Sequence, residues 1–229
     1  MTAALILGHS GSGKTTSLRN LDPSKTLLLQ VVKKSLPFRS KQWLPYNKEN
    51  PNGSIYYCGP DSQKIINIIS KTDKKIIVID DFQYVMANEY MRRSTERGFD
   101  KFTEIGFNAW SVITEANNAH PQKRVYILSH TEEDQHGKTK IKTIGKMLDE
   151  KITLEGMVTI CLQTTVINDQ NLFVTKNNGN TTVKSPMGMF DSDHIDNDLD
   201  LVDQAICEYY NIPPPQAQNN QHQQTTQNS

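Results

Sequence analysis

Nine consecutive residues near the N-terminus, Gly8-His9-Ser10-Gly11-Ser12-Gly13-Lys14-Thr15-Thr16, carry the complete G-x-x-x-x-G-K-[ST] pattern. An unbroken apolar run, Ala3-Ala4-Leu5-Ile6-Leu7, precedes it and reads as a buried strand. The stretch from Thr15 to Leu21 is compatible with a helix, so strand, loop and helix start fall in the order that gives the pattern its meaning. Glycines in such a loop let successive backbone N–H groups converge on one anion, and the positive end of the helix dipole adds to them. The spacing assigns Lys14 to β and γ phosphates and the Thr15 hydroxyl to Mg²⁺, with Gly8 to Thr16 as the nucleotide-binding loop.

The chain has 229 residues, enough for one α/β domain with a sizeable core. Its 25 basic and 25 acidic residues balance, so no global field points to a nucleic acid or a membrane, and any polyanion site must arise from local clustering. Cys58, Cys161 and Cys207 are widely spaced and odd in number, which suggests reduced core thiols rather than a disulfide framework or a zinc site. The first apolar run leads straight into the glycine-rich loop and no apolar stretch approaches the length of a membrane span, so a cytoplasmic location is expected.

Thr26 to Val32 reads as a second buried strand, with Gln30 as a polar member. Lys33 to Gly53 is a proline-broken loop in which Lys33, Lys34, Arg39, Lys41 and Lys48 interleave with Phe38, Trp43 and Tyr46. Two readings stand: cations and aromatics tracking a nucleic-acid strand, or a solvated loop whose aromatics pack on the domain. Ser54 to Cys58 suggests a short strand and Ser62 to Ser70 an amphipathic helix.

Lys75 to Asp81 reads as a buried strand ending in two carboxylates. Beside a glycine-rich loop of this kind the acid at such a strand end holds Mg²⁺, which assigns Asp80 to the metal and Asp81 to orientation of an attacking water; a helix cap is the alternative. Phe82 to about Ala119 is helical in character with breaks near Gly98 and Gly106, and carries Arg92, Arg93, Arg97 and Lys101, either as solvated surface or as a basic face for a partner. Arg124 to Ser129 is another buried strand, ending at His130, which is either a γ-phosphate sensor or a solvated strand-end histidine.

Lys138, Lys140, Lys142 and Lys146 follow, suited to neutralising a DNA backbone or to an ordinary solvated loop. Gly156 to Ile167 is β-rich, Asn171 to Thr175 with Thr181 to Lys184 reads as a hairpin turning at Asn177-Asn178-Gly179, and Ile195 to Tyr210 as a closing helix. Residues 213–229 contain no Asp, Glu, Lys or Arg and are rich in Gln and Asn, the composition of a disordered tail, which leaves 1–212 as the folded domain.

Asp80-Asp81-Phe82-Gln83-Tyr84, Ser129-His130, Lys142 to Asp149 (KTIGKMLD) and Lys184 to Phe190 (KSPMGMF) together resemble a phage family of small RecA-like P-loop ATPases. These are the Sak-type single-strand annealing proteins, within a broader AAA-like ATPase domain family, and the resemblance spans residues 1–212. It implies an α/β P-loop NTPase with a mostly parallel RecA-like sheet flanked by helices and a C-terminal β-hairpin and helix. It further implies ATP with Mg²⁺, single-stranded DNA as partner, a homo-oligomer and a role in phage recombination, so that the compartment is the host cytoplasm. Residue by residue, it gives Gly8, Gly13, Lys14 and Thr15 to ATP and Mg²⁺, Asp80 to the metal and His130 to γ-phosphate sensing, with Lys184 as a cation offered to a neighbouring subunit.

One departure from that pattern matters. RecA-type enzymes place a glutamate just after the second strand, whereas no Asp or Glu lies between Asp22 and Glu49, and Gln30 orients water without taking its proton. Hydrolysis then rests on Asp81 or is slow. The alternatives are a nucleotide-dependent adaptor or switch with little turnover, and a small-molecule kinase, which the lack of an Arg-rich lid disfavours.

Overall fold

The computed structural model describes residues 3–145 and 148–213, which form an α/β fold with a mostly parallel sheet flanked by helices. Its strands are β1 (Ala3–Gly8), β2 (Thr26–Gln30), β3 (Ile55–Tyr57), β4 (Ile76–Asp80), β5 (Arg124–Glu133), β6 (Thr139–Ile141), β7 (Ile160–Ile167), β8 (Gln170–Val174) and β9 (His194–Asp196). They run across the sheet in the order β3-β2-β4-β5-β1-β7-β8-β9, with β6 paired to β5. β1, β2, β3, β4, β5 and β7 are mutually parallel, while β6, β8 and β9 join antiparallel. Buried parallel strands need apolar side chains on both faces. The runs AALIL, TLLL and IIVI supply them.

Alternation along each strand divides the core in two. Leu5, Leu7, Ile77 and Ile79 face α1 (Ser62–Lys71), α2 (Gln83–Arg92) and α3 (Asp100–Asn118). Ala4, Ile6, Ile76 and Val78 face a short 3-10 helix (Thr15–Asn20) and α4 (Leu199–Tyr209). α1 is capped by Asp61, whose side chain accepts from the Lys64 N–H, and its Ile65 and Ile69 lie one turn apart and wholly buried. The segment between β2 and β3 is a loop whose aromatics pack down: Trp43 is buried, and Phe38 meets it edge to face at 5.9 Å.

Four local expectations are corrected. The turn after the glycine-rich loop is a 3-10 helix, closed by Ser17 N–H donating to both Gly13 O (2.9 Å) and Lys14 O (3.3 Å). The break in the helical region falls at Gly98 alone, and Gly106 sits buried inside α3. The C-terminal hairpin is β7–β8, turning at Asn168-Asp169, both with left-handed φ (49° and 61°). Thr181 and Lys184 instead bridge to Thr139 and Cys161, a long-range choice that the Asn-Asn-Gly turn signal does not encode. Finally, Ile195 belongs to β9, and α4 starts at Leu199 because the Asp198 side chain caps it by accepting from Asp200 N–H (3.0 Å).

Of the basic residues in this region, Arg92 and Arg97 are exposed, whereas Arg93 and Lys101 are engaged within the fold. Arg93 pairs with Glu89, Glu96 and Glu104, and the buried Lys101 ammonium donates to the Arg93 and Glu96 carbonyls. Cys58 and Cys161 are buried, and burial pushes both thiols up to about 12, as expected of inert core cysteines. Among the described residues, no helix is long and apolar enough to cross a membrane.

Candidate functional site

The carboxyl ends of the parallel strands meet at one edge of the sheet, the place where open α/β sheets bind ligands. Register brings Gly8 of β1 abreast of His130 of β5, and Gln30 of β2 abreast of Asp80 of β4. β5 lies between β1 and β4, so His130 stands between the glycine-rich loop and the paired carboxylates. A cavity of about 320 Å³ opens there, lined by Ser10, Gly11, Gly13, Lys14, Thr15, Thr16, Lys34, Ser35, Pro37, Asp81 and His130.

Two glycines are required by the loop's close packing. A Cβ on Gly8 would lie 1.9 Å from the Thr164 hydroxyl oxygen and 2.6 Å from that of Ser12. Gly13 has φ +97°, and a Cβ there would press on Asn197 and Asn171. Ser12 is fixed from behind, its Oγ donating to His9 O (2.7 Å) and lying 2.5 Å from Thr164 Oγ1. His9 is exposed, and it is its carbonyl that faces the cavity's lysine: Lys14 Nζ donates to Gly8 O (2.7 Å) and His9 O (2.8 Å). Burial outweighs the nearby Asp80 and Asp81 charges and lowers Lys14 to about 8.

Thr15 and Asp80, 65 positions apart, are in contact: Thr15 Oγ1 donates to Asp80 Oδ1 (3.1 Å) and Oδ2 (3.2 Å). Asp80 is 1 % exposed, and burial, with the charge of Asp81, pushes its carboxyl up to about 6. Asp81 differs although it is adjacent. Its φ of 64° turns the chain sharply, and its oxygens meet Lys34 Nζ (2.5 Å) and His130 Nε2 (3.7 Å). Burial works against the charged form of Asp81, but the neighbouring His130 and the Lys34 ammonium prevail and hold it below the usual carboxylate range.

The protein's own cations thus go to Asp81, whereas Asp80 is met by a neutral hydroxyl. A buried carboxylate and a hydroxyl form a hard oxygen set of the kind Mg²⁺ takes, with water and phosphate oxygens completing its shell. Among the described residues no cluster of three or more His, Cys, Asp or Glu exists to hold a softer metal.

Gly8, Gly11, Gly13, Lys14, Thr15, Thr16, Asp80, Asp81 and His130 therefore converge as their positions in the sequence suggest. Lys138, Lys140 and Lys142 lie on the β5–β6 hairpin, and Lys142 N–H donates to His130 O (2.8 Å). Lys138 and Lys142 are exposed, while Lys140 lies 3.5 Å from Glu132; Lys146 is outside the described residues, as is the tail beyond Pro213. Lys184 pairs through its backbone with Cys161 and does not line the cavity of its own chain.

Lys34, Thr164 and Gln83 are site residues that the motif does not name. Gln83 sits one residue past Phe82, and its Oε1 accepts from His130 N–H (3.2 Å), fixing the backbone at that histidine. No protein-family model and no curated protein matches the chain.

Proposed function

We propose that the protein is a RecA-like P-loop ATPase that binds ATP with Mg²⁺ and acts on single-stranded DNA in phage recombination and strand annealing. The observation that carries the nucleotide reading is the Thr15–Asp80 contact beside Lys14, since the three groups with assigned roles on a triphosphate meet at one edge of the sheet. Thr15 and Asp80 would hold Mg²⁺, which when bound neutralises charge on the phosphate oxygens. Lys14 and the loop amides position the triphosphate, and their fixed charges favour charge developing on the transferring group. His130 lines the same cavity, which supports a role for it at the terminal phosphate.

Support for the DNA partner is the family resemblance together with the lysines of the β5–β6 hairpin. Because Lys142 is bonded to His130 through the backbone, a change at His130 would be transmitted along a single strand to that hairpin. The ATP-dependent switch with little turnover is kept as a second reading, because both candidate water-orienting groups are engaged. Asp81 is held by Lys34 and His130, and Gln30 Nε2 donates to Lys34 O (2.8 Å).

Phosphate release from ATP, measured with and without single-stranded DNA alongside annealing of complementary strands, separates the two. DNA-stimulated release with annealing is the expected result. Tight ATP binding with no release under either condition supports the switch, and absence of ATP binding removes both readings.

A further inference from the structure

Lys34 occupies a position that neither the glycine-rich pattern nor the family resemblance assigns. It follows β2, where Gln30 stands in register with Asp80. Val31 N–H donates to Asp80 O (3.3 Å), and the Gln30 side chain clamps Lys34 O, so the chain leaving β2 is led past the paired carboxylates. Lys34 is thereby placed with Ser35 and Pro37 in the lining of the cavity that the glycine-rich loop also lines. Its ammonium rests on Asp81 and its side chain is 45 % exposed, a cation anchored at one side and open at the other.

The location along the cavity decides which group it meets. Thr16 lies one residue into the 3-10 helix, whereas Lys34 sits against Asp81 and beside His130, at the Asp80 end. Asp80 and Thr15 would hold Mg²⁺ beside the β and γ phosphates, where it would supply charge neutralisation. A cation at this end therefore faces the terminal phosphate and not the α phosphate.

On the reading that the cavity takes a nucleotide, we propose that Lys34 is a second cationic ligand for the terminal phosphate of a nucleoside triphosphate. It is supplied by the same chain, shared with Asp81, and makes the site prefer triphosphate over diphosphate. Lys14 is assigned to the β and γ phosphates, so it meets a β phosphate that ATP and ADP both present and supplies affinity for either. Lys34 meets a group that only the triphosphate carries, so it supplies discrimination.

The test is equilibrium binding of ATP, through a non-hydrolysable analogue, and of ADP, each with Mg²⁺, to the full chain and to Lys34→Met and Lys34→Gln. Removing one charge-assisted contact to the terminal phosphate is expected to lower the triphosphate-to-diphosphate preference by about tenfold in both variants. ADP affinity stays close to that of the parent. Lys34→Gln keeps a polar group toward Asp81 and serves if Lys34→Met does not fold. Equal losses for the two nucleotides would make Lys34 a mere brace for Asp81 and overturn the proposal while leaving the nucleotide site intact. A parent chain that binds neither nucleotide would overturn the nucleotide reading and this proposal with it.

Discussion

Lys14→Ala is expected to lower the affinity for ATP by at least about tenfold, the equivalent of one hydrogen bond to a charged phosphate oxygen. The lysine is 6 % exposed, and its ammonium bonds to the Gly8 and His9 carbonyls. An ammonium held on two carbonyls has a third donor for a phosphate oxygen. The fold is expected to survive, because the variant also sheds the cost of burying a charge. Calorimetric titration of ATP into parent and variant checks this, with thermal melts of both to confirm folding. Unchanged affinity would mean that the loop is not the nucleotide site.

Asp203→Ala is expected to cost about 3 kcal/mol of folding stability through a mechanism that has nothing to do with nucleotide. Arg124, at the start of β5, donates from Nε and Nη2 to the two oxygens of Asp203 on α4 (both 2.8 Å), and Tyr126 OH donates to Oδ1 (2.6 Å). Arg124 and Asp203 are 3 % and 6 % exposed, and Tyr126 is wholly buried. Removing the carboxylate leaves a buried guanidinium without its counter-charge and a buried phenol without its acceptor. The expected cost sits at the lower end for such pairs because a cavity lined by Arg124, Asp203 and Cys207 lets water approach. A lowered urea midpoint at unchanged slope would show it. A midpoint within error of the parent would mean that water fully replaces the carboxylate.

The parts of the site visible in the sequence are those fixed by local spacing. Gly8 to Thr16 are contiguous, and Asp80 ends an apolar run that reads as a buried strand. Their meeting required only that both strands end at the same edge, which parallel strands in one sheet do. Lys34 was not legible in that way. It is one of five cations in a proline-broken loop, and what recruits it is the Gln30 clamp and the register of β2 against β4, both tertiary facts.

The hairpin illustrates the same limit. Asn168-Asp169 and Asn177-Asn178-Gly179 are both good turn sequences, and the first prevails because Gln163 to Ile167 find five partners in Gln170 to Val174. Thr181 and Lys184 are instead captured by strands far away in sequence. Asp81 was legible as an acid but not as a neutralised one, since its partners come from β2's exit and from β5.

The central claim is that a triphosphate and Mg²⁺ share the edge where Thr15 meets Asp80. It is tested most directly by titrating the full chain and Asp80→Asn with ATP, in the presence of Mg²⁺ and in the presence of a chelator. The parent is expected to bind ATP at least about tenfold more tightly with Mg²⁺, the equivalent of one charge-assisted contact, and Asp80→Asn to lose that gain while keeping the Thr15 hydrogen bond and the fold. A parent that binds no ATP with Mg²⁺, or a gain that survives Asp80→Asn undiminished, would contradict it.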